Sequence, residues 1–192
     1  MDKKLHINFY SQHSEDIDTD WRHRSCGIVC IKMVLDYLGL GKEEAVMDLI
    51  KEGKYIGGYS EENGWNHDAL VNLLRNHGVS AYRQEFRSHE ISVSDKISRE
   101  SKYQEKLASV GIGKIISSVE KGAPVIVSVK EGFGTNKTSH LIVITGTKID
   151  NNVFSGFYYI DPNTKENLES EQHFVELARF NSFWRNLAIF TA

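Results

Sequence analysis

Trp21-Arg22-His23-Arg24-Ser25-Cys26-Gly27-Ile28-Val29-Cys30-Ile31-Lys32-Met33-Val34-Leu35-Asp36-Tyr37-Leu38-Gly39 changes character at Cys26. A polar, basic approach gives way there to a stripe of Ile28, Ile31, Val34, Leu35 and Leu38, the spacing of one buried helix face. Gly39 and Gly41 stop the helix. The thiol therefore sits at the first helical turn, where unpaired backbone N–H groups and the positive end of the macrodipole favour a thiolate. Gly27 leaves room for a carbonyl to approach the sulfur. The competing interpretation is inert packing, the usual fate of a cysteine in a small domain and the one expected of Cys30, one turn further on.

Two downstream stretches give Cys26 company. Thr138-Ser139-His140-Leu141-Ile142-Val143-Ile144-Thr145-Gly146 places a histidine at the start of a β-branched, buried strand. Gly156-Phe157-Tyr158-Tyr159-Ile160-Asp161-Pro162-Asn163 is a second strand, closed by an aspartate and a proline that cannot continue the ladder. If the two strands are antiparallel neighbours, a histidine at one's beginning meets an aspartate at the other's end. A cysteine nucleophile needs a base, and the base needs a third group to fix its tautomer. Cys26, His140 and Asp161 supply the three types, and Asn163 is a second candidate for the orienting role.

The ordered set of a Cys-Gly helix start, a Met-Val-Leu-x-Tyr-x-Gly helix, a Ser-His-x-x-Val strand and a hydrophobic-Asp-Pro strand resembles the papain-like cysteine peptidases. The likeness is to the bacteriocin-processing, double-glycine-leader type and its stand-alone relatives. A neighbouring branch, named after a proposed guanylyl cyclase activity, shares a Cys-Gly-x-x-Cys opening of this kind. The resemblance implies an α+β papain-like fold, with N-terminal helices and the nucleophile helix packed on a C-terminal antiparallel sheet. It implies Cys26 as nucleophile, His140 as base and Asp161 as orienter, with no cofactor and no metal. The substrate would be a peptide or small amide, cleaved through a thioester.

One departure bears on activity. The family places an oxyanion-hole glutamine five or six residues before the cysteine, and here Asp20 stands near that place. A carboxylate repels an oxyanion. Gln12 replaces the glutamine only if its loop folds back, and Trp21 offers an indole N–H. The alternative to a hydrolase is therefore a non-catalytic papain-like module that binds a peptide or ligand across a weakened oxyanion hole.

The remainder bounds these readings. At 192 residues, with 40% hydrophobic and 26% charged residues, the chain fits a single domain over 1–192. A net charge of -3 without a basic cluster argues against a nucleic-acid partner. No apolar stretch suggests a membrane, two cysteines with no visible signal peptide suggest a cytoplasmic address, and the resemblance implies a bacterial protein. Neither Gly57-Gly58 nor Gly111-Ile112-Gly113 carries a phosphate-loop signature, and the histidines lack paired metal-ligand spacing. Helices are expected over 42–51, from Asn66 to Gly78, over 107–120 starting near Gly111, and over 170–180. Strands are expected over 79–86, 125–129 and 186–191. Residues 53–64 look like loop, and the polar, aperiodic stretch 87–105 looks like a flexible insertion or lid.

Overall fold

Nine consecutive residues, Gly27 to Leu35, are buried in the helix α1 (Cys26–Tyr37), so the apolar stripe is surrounded on every side. This computed structural model describes residues 2–41, 43–87, 96–134, 138–165 and 172–191. Burial on all sides catches Lys32, which is 5% exposed. Its ammonium is satisfied by Asp36 Oδ1 at 2.8 Å and by the Gly41 carbonyl, while the Tyr10 hydroxyl donates to the other Asp36 oxygen. Leu38 is only the C-cap and is half exposed, because the helix has already ended.

Elements follow in chain order. β1 (Lys3–Lys4) precedes α1, which is followed by α2 (Val46–Tyr55), the hairpin β2 (Tyr59–Ser60) and β3 (Gly64–Trp65), and α3 (His67–Asn76). β4 (Ala81–Glu85), α4 (Lys96–Glu120) and β5 (Val125–Lys130) lead through a 3-10 turn, Glu131–Phe133, to the long β6 (Ser139–Asp150). β7 (Val153–Ile160), β8 (His173–Glu176), α5 (Leu177–Phe183) and β9 (Trp184–Thr191) complete the chain. Among the described residues the strands form a seven-stranded antiparallel sheet ordered β4-β9-β5-β6-β7-β8, with β1 against β6.

Strand β6 holds the architecture together. Its residues His140 to Thr147 are buried without alternation, so both faces of the sheet are covered there, with α1 and α4 packing on it. Each such apolar side chain removed from water contributes roughly 1.5–3 kcal/mol. The expected helices-then-sheet order, α+β with the cysteine helix on the sheet, is what the chain adopts. No helix among the described residues is long and apolar enough to cross a membrane.

Several boundaries differ from expectation, each for a local reason. Extended Ala45 (φ -74°, ψ 149°) delays α2 to Val46. The glycine-rich stretch 53–64 contains the last residues of α2 and a small hairpin, closed by Gly64 at φ +70°. α4 begins at Lys96, so 96–105 is helical where irregular chain was expected, while 88–95 lies outside the described residues. Gly111 is interior to this helix and not its start. A Cβ there would stand 2.4 Å from the Trp184 ring and 2.7 Å from that of Phe86, so the glycine lets α4 lie against them. Within 170–180, residues 173–176 pair with β7 as a strand, and helix begins only after extended Glu176.

Candidate active site

Cys26 is the first residue of α1 and is partly exposed. The N-cap Ser25 makes no side-chain cap bond, and among the described residues its buried hydroxyl has no hydrogen-bond partner. The first turn also carries no acidic residue, so its N–H groups meet neither a capping oxygen nor a carboxylate from that turn. Gly27 serves packing: a Cβ would meet Leu70 of α3 at 3.0 Å and Leu141 of β6 at 3.1 Å. The room expected there for an approaching carbonyl is already filled by these leucines. Cys30, one turn deeper, is fully buried, and its thiol lies 3.4 Å from the Leu141 carbonyl. Burial pushes that thiol well above its ordinary range.

His140 is the second residue of β6 and is 5% exposed. The β6–β7 register pairs Val143 with Ile160, so continuing it sets residue 161 across from Ile142. His140 lies two residues along on the same face, a diagonal neighbour. Asp161 closes that distance: its Oδ1 stands 2.6 Å from His140 Nε2 and accepts the Asn163 backbone N–H at 2.8 Å. With Nε2 so engaged, Nδ1 is the ring nitrogen left to exchange a proton with Cys26, whose sulfur couples electrostatically to the imidazole.

The electrostatics follow from this alignment. Burial pulls the His140 imidazolium down, but the hydrogen bonds and charges of Asp161 and Cys26 outweigh it and raise its pKa to about 10. Burial alone would raise Asp161. The His140 hydrogen bond and charge, with the Asn163 N–H, hold it below the usual carboxylate value. The site thus favours an ionised carboxylate, an imidazolium and a sulfur in one line.

The oxyanion candidates separate. Asp20 is exposed in a turn-rich loop. Trp21 packs its ring on Tyr59 and Trp65, with centroids 4.9 and 5.9 Å away. Among the described residues no hydrogen bond ties either to Cys26, His140 or Asp161. Gln12 packs against the turn that follows Asp161: it is 5% exposed, its N–H donates to the Pro162 carbonyl at 2.8 Å, and its Nε2 lies 3.2 Å from Asn163 Oδ1. The Asn163 side chain therefore faces Gln12, His13 and Glu131 and not the imidazole; only its backbone N–H serves Asp161. The Ser11 hydroxyl donates to the Thr164 carbonyl at 2.8 Å, extending the same seam.

Further residues complete the surroundings. His13 Nε2 lies 2.8 Å from Asn163 Oδ1, and its ring meets that of His23 edge-on at 5.6 Å. A cleft of about 490 Å³ opens between the β2–β3 hairpin, the start of α3 and β4, lined by Tyr59, Trp65, His67, Asp68, Arg83 and Glu85 among others. The Trp65 indole donates to the Arg24 carbonyl at 2.7 Å, which joins the cleft wall to the segment leading into Cys26. Burial first, then Arg83, lowers the His67 imidazole. Trp65, Asn66 and His67 sit together beside the glycine-rich loop, where the sequence suggests a cleft or a capped helix; all three line this cleft, and the Asn66 side chain caps α3 by accepting the Asp68 N–H. Among the described residues no group of three or more His, Cys, Asp or Glu side chains is arranged to hold a metal ion.

Comparison with known proteins adds to this geometry. A profile of the Peptidase_C39 like family matches residues 4–189. No curated protein matches. Among solved structures, a protein described as a C39-like peptidase from Bacillus anthracis is 18% identical, with 99% of this chain and 97% of that one covered at a TM-score of 0.65. The peptidase domain of Streptococcus ComA, a bifunctional ABC transporter of a quorum-sensing pathway, is also 18% identical, with 97% and 98% covered and a TM-score of 0.61. A double-glycine-motif protease from an AMS/PCAT transporter, solved with a leader peptide, is 14% identical, with 98% and 94% covered and a TM-score of 0.55. At these identities the likeness is one of fold.

Proposed function

We propose, from the premise that this chain belongs to the Peptidase_C39 like family and has its papain-like α+β fold, that it is a thiol-dependent hydrolase of peptide or related amide bonds. The observation that carries the proposal is the His140 imidazole held by Asp161 through Nε2 at 2.6 Å, with its protonation coupled to the Cys26 sulfur at the start of α1. The Cys26 thiolate attacks the substrate carbonyl carbon, forming the C–S bond while the carbonyl electron pair moves to oxygen. Gln12 Nε2 and the Cys26 backbone N–H are the donors for that oxyanion. Collapse of the intermediate breaks the C–N bond, and the leaving amine takes its proton from His140 Nδ1. Water then attacks the thioester as His140 accepts a proton, releasing the acid and the Cys26 thiolate. Asp161 holds the ring and its charge throughout.

The alternative, a binding module with a weakened oxyanion hole, predicts an unactivated Cys26, and the test below separates the two. The leader peptide bound to the double-glycine-motif protease of the AMS/PCAT transporter makes leader-like peptides the first substrates to screen. The test is the alkylation rate of Cys26 by iodoacetamide against pH, read by peptide mapping, in wild type and His140→Ala. Labelling that stays fast below neutral pH in wild type, and slows there in the variant, is expected. Identical profiles would remove the histidine-paired thiol and the hydrolase with it.

A further inference from the structure

The two ends of the Gln12 side chain have nearly the same shape and opposite chemistry. Its NH2 stabilises an oxyanion, whereas its carbonyl oxygen repels one. Something must decide which end faces the reacting carbonyl, and the neighbours of Gln12 carry the decision. Glu131, which leads out of β5, can only accept when ionised, so the Asn163 atom 3.4 Å from its Oε1 is the donor Nδ2. Asn163 Oδ1 therefore faces the other way, toward Gln12 and His13. His13 Nε2, at 2.8 Å, must then carry a proton, which it does as an imidazolium or as the Nε2–H tautomer. Gln12 in turn presents Nε2 to that oxygen at 3.2 Å, and a flipped amide would set oxygen against oxygen. Among the described residues Gln12 Oε1 is buried without a hydrogen-bond partner, so the Nε2 contact with Asn163 is what sets which way the amide faces.

We propose that Asn163, itself oriented by Glu131 and His13, is a positioning residue that fixes the Gln12 amide with its NH2 end available to the oxyanion. This rests on Gln12 acting as the oxyanion donor in the proposed hydrolase. His13 has a second grip on the same site: its ring contact with His23 ties the arm carrying Gln12 to the segment three residues before Cys26. Asn163 acts on Asp161 through its backbone and on Gln12 through its side chain, so a side-chain substitution separates the two roles.

The test uses p-nitrophenyl acetate, which acylates a reactive thiol and releases p-nitrophenolate, alongside iodoacetamide, which reports the Cys–His pair and needs no oxyanion hole. Asn163→Ala and His13→Ala are expected to slow kcat for p-nitrophenolate release by about tenfold, a fraction of the loss typical for a whole oxyanion donor. KM and the alkylation rate should stay within about twofold, and His13→Gln, which restores a donor, should recover most of the rate. In a Gln12→Ala background, Asn163→Ala should add nothing further. Variants that acylate like wild type, an alkylation rate that falls in step with acylation, or full additivity with Gln12→Ala would each overturn the positioning role. If Asn163→Ala unfolds, the His13→Ala and His13→Gln pair decides alone. Wild-type protein that does not acylate at all would overturn the hydrolase reading, and this inference with it; inert side-chain variants beside an active wild type overturn this inference only.

Discussion

Asparagine in place of Asp161 removes one charge and leaves the hydrogen bonds an acceptor. The amide oxygen of the Asp161→Asn variant can keep its places 2.6 Å from His140 Nε2 and 2.8 Å from the Asn163 N–H. A hydrogen bond to a charged group contributes roughly 1.5–3 kcal/mol and a neutral one roughly 0.5–1.5 kcal/mol. The substitution therefore withdraws about 1–2 kcal/mol from the imidazolium form. At about 1.4 kcal/mol per pH unit, His140 should titrate about one unit below its present value of about 10. It should not return to 6.5, because Cys26 still faces the ring. The sign of the stability change follows from both partners. His140 titrates above its ordinary 6.5, so its contribution is complete below that pH and is lost as pH rises through about 10. Asp161 titrates below 3.8, so its contribution is complete above that value and is lost as pH falls through its lowered one. The wild type should exceed the variant by the full amount between these limits, a melting difference of about 3–6 °C for a chain this size. Melting curves from acid to alkaline pH, with the imidazole Cε1 resonance followed by NMR, make the measurement. A deficit equally large near neutrality and well above pH 10, or a His140 titration unmoved by the substitution, would refute the reasoning.

Two glycines of α4 should respond in opposite directions to alanine. Gly113 has no atom within 4 Å of a Cβ, so Gly113→Ala should gain about 1 kcal/mol of helix propensity, whereas Gly111→Ala should lose roughly 1–3 kcal/mol to overpacking against Trp184 and Phe86. Calorimetry of the pair checks this, and equal melting temperatures would contradict the close packing. Lys32→Met strands the buried Asp36 and should destabilise the fold by about 3–5 kcal/mol in urea, with Lys32→Met/Asp36→Leu recovering most of it. Iodoacetamide should label Cys26 in the native protein and reach Cys30 only in urea; native labelling of Cys30 by peptide mapping would contradict its burial.

The three chemical groups of the candidate site were legible because each sits at a break in periodicity. Cys26 starts a helical stripe, His140 starts a β-branched run, and Asp161 precedes a proline that ends one. The antiparallel pairing that joins the last two could be anticipated from the short turn at 150–152. Gln12 is harder to read, since its place depends on a bond to the Pro162 carbonyl, far along the chain, which no local pattern encodes. The early turns of α4 escaped notice for another reason. Their sequence is polar without a strong stripe, and Gly111 and Gly113 resemble a helix boundary until the rings behind Gly111 are seen. The hairpin beside Trp65 is two residues per strand, too short for alternation to register.

The seam between Gln12 and the Asp161-Pro162-Asn163 turn has a consequence in time. During synthesis the cysteine helix emerges early, yet neither its base nor the stitch that seats Gln12 exists until residues around 163 have been made. A nascent or truncated chain therefore carries a bare thiol with no partner to arm it. Any chemistry that Cys26 performs with His140 and Asp161 must therefore wait until the sheet that carries them has closed.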